Sequence, residues 1–281
     1  MKRNYKNVIF WCIVVALLYL SYEWLSDVIF RGFNYLDVKY MIVPDVLLPS
    51  INAFVDTLIS VVLIVIYLIL AVFIVKKHEK GIKLGFVKGF IFCIVMGFAF
   101  YGIAGLWFEI VDRFLVSIPF IAKNVEYFSG VYDDLESGAY IWSLLSISII
   151  GPIVEEILFR WLIFNSLERI TKSPWFAIIV SGVLFGSWHM IFVQSVYTAI
   201  MGCIMGLIYY KTRNIFYTIF IHMVNNTIGN LPSALDTDLV NTAINHVAYA
   251  MVIPALILLV ILCLKKPKSE EVEEETYTYG L

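Results

Sequence analysis

Uncharged stretches of 15 to 20 residues recur along the whole length of this sequence, which is the length signature of helices that cross a lipid bilayer. They run over Val8–Tyr22, Leu58–Val75, Gly89–Trp107, Ala139–Val154, Pro174–Val193, Val196–Tyr210, Asn214–Gly229 and Val247–Leu264. The stretch Ser173–Tyr210 holds 38 residues without Asp, Glu, Lys or Arg, too long for one helix, and Gln194 and Ser195 predict an external turn that divides it. Eight spans result, and the fold class is all-α, a polytopic membrane bundle of about eight transmembrane helices. Composition agrees: 61% of the residues are hydrophobic, 15% are charged and mean hydropathy is +0.87, values that soluble domains rarely reach. The first run follows Lys2, Arg3 and Lys6 but leads into Glu23 and Trp24 with no small-residue cleavage pattern, so it reads as a retained signal anchor.

Positive charge sets orientation, because Lys and Arg flanking spans stay on the cytoplasmic side. With the N-terminus inside, 15 basic residues fall in the cytoplasm: Lys2, Arg3, Lys6, Lys76, Lys77, Lys80, Lys83, Lys88, Arg169, Lys172, Lys211, Arg213, Lys265, Lys266 and Lys268. Arg31, Lys39, Arg113 and Lys123 lie outside. The expectation is a multi-pass protein of the cell membrane with both termini cytoplasmic. Two longer external segments, Glu23–Ile51 and Phe108–Gly138, mix apolar and acidic residues and read as amphipathic helices on the outer surface. The chain divides into N-terminal helices over 1–138, a core over 139–266, and an acidic tail over 267–281 that reads as disordered. A net charge of -2 spread over short loops assembles no basic face, which argues against a nucleic-acid partner. Cys12, Cys93, Cys203 and Cys263 sit in apolar runs without a repeated spacing and read as packing residues.

Against this background a few ionisable residues stand out, each costing about 2.5 to 3.5 kcal/mol to place at the centre of a membrane helix. Glu155, Glu156 and Arg160 share one apolar frame; Phe185 and His189 follow, then His222, Asn225 and Asn226. At about 100° per residue Glu156 and Arg160 lie on one helix face and can pair, whereas Glu155 is turned about 140° away. A desolvated carboxylate left without a helical partner can take up and release a proton, as a general base requires. Glu155 is therefore the candidate base, with Glu156 and Arg160 as a brace. Counted at about 1.5 Å per residue from the flanking loops, Glu155, His189, His222 and Asn226 reach depths of roughly 12 to 22 Å, so three helices could deliver them to one layer. His222 and Asn226, at i and i+4, share a face and can both donate to one oxygen. Asn225 reads as interhelical glue, and His78 and His246 as interfacial residues.

Together the three segments resemble the signature of the CPBP family, the CAAX prenyl-endopeptidase and bacteriocin-processing group also called Abi. Its EExxxR, FxxxH and HxxxN/D patterns correspond to Glu155, Glu156 and Arg160, to Phe185 and His189, and to His222 and Asn226. The spacer Gly202–Asn214 is similar as well, and the likeness covers roughly Leu144–Asn230. The resemblance implies helices around a conical polar cavity and hydrolysis of peptide bonds in membrane-associated peptides or proteins. It implies that Glu155 and His189 activate a water while His222 and Asn226 stabilise the oxyanion. Glu155, His189 and His222 are also a possible ligand set for Zn²⁺, but the His-Glu-x-x-His motif is absent and Glu155 cannot easily serve as both ligand and base. A metal-free mechanism without a cofactor is the preferred expectation. Two other readings stand beside it: a non-catalytic scaffold or bacteriocin-immunity protein of the same fold, and a proton-coupled transporter, which should show inverted repeats that this sequence lacks.

Overall fold

The computed structural model describes residues 5–75, 81–171 and 173–265. Expectations for Lys2, Arg3, Lys76, Lys77, His78, Lys80, Lys172, Lys266, Lys268 and the acidic tail lie outside the described residues. Within them the chain is helical throughout, with no strand. We number the helical rods α1 (Tyr5–Tyr40), α2 (Ile51–Ile74), α3 (Phe86–Ile110), α4 (Pro119–Glu136), α5 (Tyr140–Ile170), α6 (Pro174–Trp188), α7 (Phe192–Thr212), α8 (Ile215–Gly229) and α9 (Asp238–Leu264).

A helix occupies each of the eight expected spans. Six of them, α1, α2, α3, α5, α7 and α9, are long and apolar enough to cross a membrane by length and composition, while α6 and α8 have 15 residues each. The protein is a polytopic helical membrane bundle. One continuous apolar core joins residues of α1 such as Leu18 to α2 (Leu63, Tyr67), α3 (Phe100), α5 (Leu158, Leu162), α7 (Met205) and α9 (Leu262).

Two boundaries differ from the sequence expectation. α1 does not stop near Tyr22; it continues unbroken to Tyr40, so the segment beginning at Glu23 is the continuation of the first helix and not a separate one. The cause is local, since Glu23–Lys39 contains no Pro and one Gly, and Arg31 pairs with Asp27 one turn back at 2.8 Å. The turn that divides Ser173–Tyr210 falls at His189–Ile191, not at Gln194 and Ser195. Met190 takes a left-handed φ of 58°, and the His189 ring Nδ1 bonds the Phe185 carbonyl at 2.9 Å, closing the end of α6. Gln194 is instead buried in the first turns of α7. The second external segment is helical as expected: α4 buries Ile121 against Val111, Ile191 and Val193.

α6 and α7 meet through small residues. Gly182 and Gly186, one turn apart, face Cys203 and Ala199 across the crossing; a Cβ at Gly182 would lie 2.5 Å from the Cys203 backbone nitrogen and 2.8 Å from its Cα. A Gly182→Leu variant is therefore expected to lose about 1–3 kcal/mol from overpacking. Thermal unfolding in detergent checks this, with Gly182→Ala falling between the two; an unchanged midpoint for the Leu variant would show that the crossing can open without cost.

Candidate active site

The 31-residue rod α5 is not a uniform α-helix. Two π-helical stretches, Leu144–Ile150 and Ile157–Ile163, flank the α-helical turn Gly151–Glu156, where the reckoning at 100° per residue assumed regular α geometry. The break has a sequence cause at Pro152, which carries no N–H. Gly151 N–H bonds the Ser146 carbonyl, five residues back, so the Ile147 carbonyl loses its α-helical partner, and its π-helical partner would be Pro152. That freed carbonyl accepts from Asn226 Nδ2 on α8 at 2.8 Å. Asn226 is thus held against α5 by the same proline that opens it. Asn226→Ala is expected to leave the Ile147 oxygen without this donor and to cost about 1–3 kcal/mol, readable as a lower unfolding midpoint; no change would mean that water replaces the amide.

The expected brace forms. Glu156 Oε2 and Arg160 Nε lie 3.0 Å apart, and neither side chain has any exposed surface. Behind the pair, the Arg160 guanidinium sits 4.5 Å from the Phe185 ring centre. Phe185 also stands perpendicular to both imidazoles, at 4.9 Å from His189 and 5.9 Å from His222, so one buried ring contacts the guanidinium and both imidazoles.

His222 lies between the two carboxylates. Its Nδ1 is 3.1 Å from Glu156 Oε1 and its Nε2 is 3.8 Å from Glu155 Oε2. Because Glu156 is paired with Arg160 as a carboxylate, it accepts, and His222 Nδ1–H donates. His189 Nδ1–H likewise donates to the Phe185 carbonyl, which can only accept. Both rings therefore keep Nε2 as the nitrogen left for chemistry. This bears on His222: in the neutral ring Nε2 is an acceptor, so it can donate to an oxygen only when the ring is doubly protonated. The picture of His222 and Asn226 donating side by side is modified, since Asn226 commits one amide hydrogen to Ile147 and receives Asn225 Nδ2 on its oxygen at 2.8 Å. Asn225 thus orients its neighbour in addition to facing the cavity.

Glu155, His189, His222 and Asn226 all line one cavity of about 400 Å³, while Glu156 and Arg160 lie behind its wall. Glu155 Oε2 is buried without a hydrogen-bond partner. The donor chemistry of Glu155 and the two Nε2 atoms suits zinc, but among the described residues no three His, Cys, Asp or Glu side chains converge closely enough to hold a metal ion. As arranged, these three do not form a coordination shell.

Several lining residues escaped the sequence reading. Asp56 on α2 accepts from Ser146 Oγ at 2.5 Å; it lies just ahead of the uncharged run Leu58–Val75, but α2 begins five residues before it. Tyr22, Glu23, Tyr132, Gln194, Tyr197 and Thr198 add to the polar lining. Gln194 Nε2 donates to the Tyr132 hydroxyl at 3.3 Å, tying α4 over the cavity. Burial above all, helped by the nearby Glu155 and Glu136 carboxylates, pushes Tyr132 up to about 12, so its hydroxyl keeps its proton as a donor. These residues carry no sequence signal, because α4 meets α7 only through tertiary packing.

Residues 137–228 match the family model described as type II CAAX prenyl endopeptidase, Rce1-like. The matched segment contains all the cavity residues of α5, α6, α7 and α8 up to Asn226. Over this segment the chain is similar to the CPBP family, as its motifs led us to expect. Two curated proteins are similar to part of the chain. The "Putative membrane peptidase YdiL" of Bacillus subtilis (strain 168) is 33% identical over 116 residues, covering 38% of this chain and 47% of that protein. The "Uncharacterized protein YyaK" of the same organism is 28% identical over 123 residues, covering 36% and 41%. The chain thus spans less than half the length of each of these curated relatives. No solved structure matches it at the same level of significance.

Proposed function

We propose that this chain is an intramembrane endopeptidase that hydrolyses membrane-associated peptides or proteins, with a water activated by Glu155 and His189. The observation that supports this reading best is that Glu155 from α5, His189 from the end of α6 and His222 from α8 open onto one cavity. Glu155 Oε2 has no hydrogen-bond partner among the described residues, and each imidazole has its Nδ1 tied down. Such fixed orientation, with the reactive atoms left open, is what general-base chemistry needs.

In the proposed reaction a water held between the Glu155 carboxylate and His189 Nε2 attacks the scissile carbonyl and gives its proton to Glu155. Glu155 then returns that proton to the leaving amine. The second amide hydrogen of Asn226 is the donor for the developing oxyanion, joined by His222 Nε2–H when that ring is doubly protonated. One such donor contributes about 2.7 to 4 kcal/mol to the transition state. Glu156 and Arg160 keep His222 and the Phe185 ring in place. In the cell membrane, with both termini in the cytoplasm as the basic loops indicate, the cavity side of α4 would face outward.

The test is cleavage of a library of membrane-associated peptides by the purified protein in liposomes, with and without chelator. Cleavage that resists the chelator and falls by about 100- to 10,000-fold in His189→Ala is the expected result. Cleavage abolished by chelator and restored by Zn²⁺ would replace the water-activation scheme with a metal-dependent one.

A further inference from the structure

A second cavity of about 520 Å³ adjoins the first and shares with it Tyr132, Ile147, Tyr197, Asn225 and Asn226. Residues of α4 line both cavities. Their charge is one-sided: Glu23, Asp56 and Glu155 line the first, Asp133 and Glu136 the second, and among the described residues no Lys or Arg lines either. Arg160, the nearest buried cation in sequence to Glu155, stays behind the wall with Glu156.

Asp56 is the most demanding of these carboxylates. It is the sole charged residue of the apolar helix α2, and among the described residues the Ser146 hydroxyl is its one donor. An intramembrane carboxylate with a single neutral donor, facing a cavity, has most of its acceptor capacity open. We propose that Asp56 is a specificity-determining residue that anchors a cationic side chain, a Lys or Arg of an extended peptide, next to the scissile bond. The proposal deepens the peptidase reading and rests on it. In the second cavity Glu136 is pushed up by burial and by the neighbouring Asp133 and Asp236 carboxylates, the direction that a cation drawn in beside it would oppose.

The experiment uses the full-length protein in liposomes and paired fluorogenic peptides that differ only in Lys against norleucine near the cleaved bond, a change that keeps the apolar stem and deletes the charge. Wild type is expected to favour the Lys peptide by roughly tenfold in kcat/KM, between the small effect of an exposed ion pair and the larger coupling of a buried one. In Asp56→Asn the ratio should fall to near one, and Asp56→Glu should restore it. Equal rates for the two peptides in wild type, or a ratio unchanged in Asp56→Asn, would overturn the proposal while leaving the peptidase reading intact. Binding of the same peptides, followed by fluorescence polarisation, separates the two ideas. Lys-selective binding that Asp56→Asn abolishes, without cleavage, would support the anchor and sink the peptidase; absence of both cleavage and selective binding would overturn both.

Discussion

Replacing Glu155 by Gln is expected to reduce peptide cleavage by about 100- to 10,000-fold, the usual contribution of a positioned general base. Gln keeps the size and hydrogen-bonding shape of the side chain, and Glu155 makes no ion pair with Arg160, so the unfolding midpoint should shift little. The loss should appear in kcat more than in KM, because proton abstraction belongs to the transition state. A variant that cleaves at the wild-type rate would remove Glu155 from the mechanism. A variant that loses activity together with its fold would assign it a structural role.

Arg160→Met is expected to have the largest effect on stability, a loss of about 3–5 kcal/mol, because it strands the Glu156 carboxylate in a fully buried site. Met preserves much of the packing volume against Phe185 but not the charge. The double variant Glu156→Gln with Arg160→Met should recover part of the loss, since an uncharged amide still accepts from His222 Nδ1. Thermal unfolding in detergent across this cycle measures the coupling directly. If the single and double variants unfold at the same temperature, the pair is not the brace that positions His222.

Much of this arrangement was legible in the sequence because its causes are local. The apolar runs specify helices at eight places, and the four-residue spacing of Glu156 and Arg160 specifies the ion pair. The phenylalanine four residues before His189 predicts a shared face, and the two rings do meet. What was hidden depends on tertiary contacts or on departures from regular geometry. The π-helical turns around Pro152 follow from a missing N–H, yet only the position of Asn226 shows how the freed carbonyl is answered. The turn at Met190 carries no Gly or Pro, so the polar pair at Gln194 and Ser195 was the more visible but misleading mark. Asp56 was overlooked because an uncharged run was equated with a helix, whereas α2 starts before its acidic residue.

Analysis by mass spectrometry of peptide hydrolysis in water enriched in ¹⁸O tests the water-activation account most directly. The account predicts fragments from the wild-type protein that carry one heavy oxygen in each newly formed carboxyl group, and none above background from a Glu155→Gln protein of matched thermal stability. Labelled fragments produced at comparable rates by both proteins would contradict it.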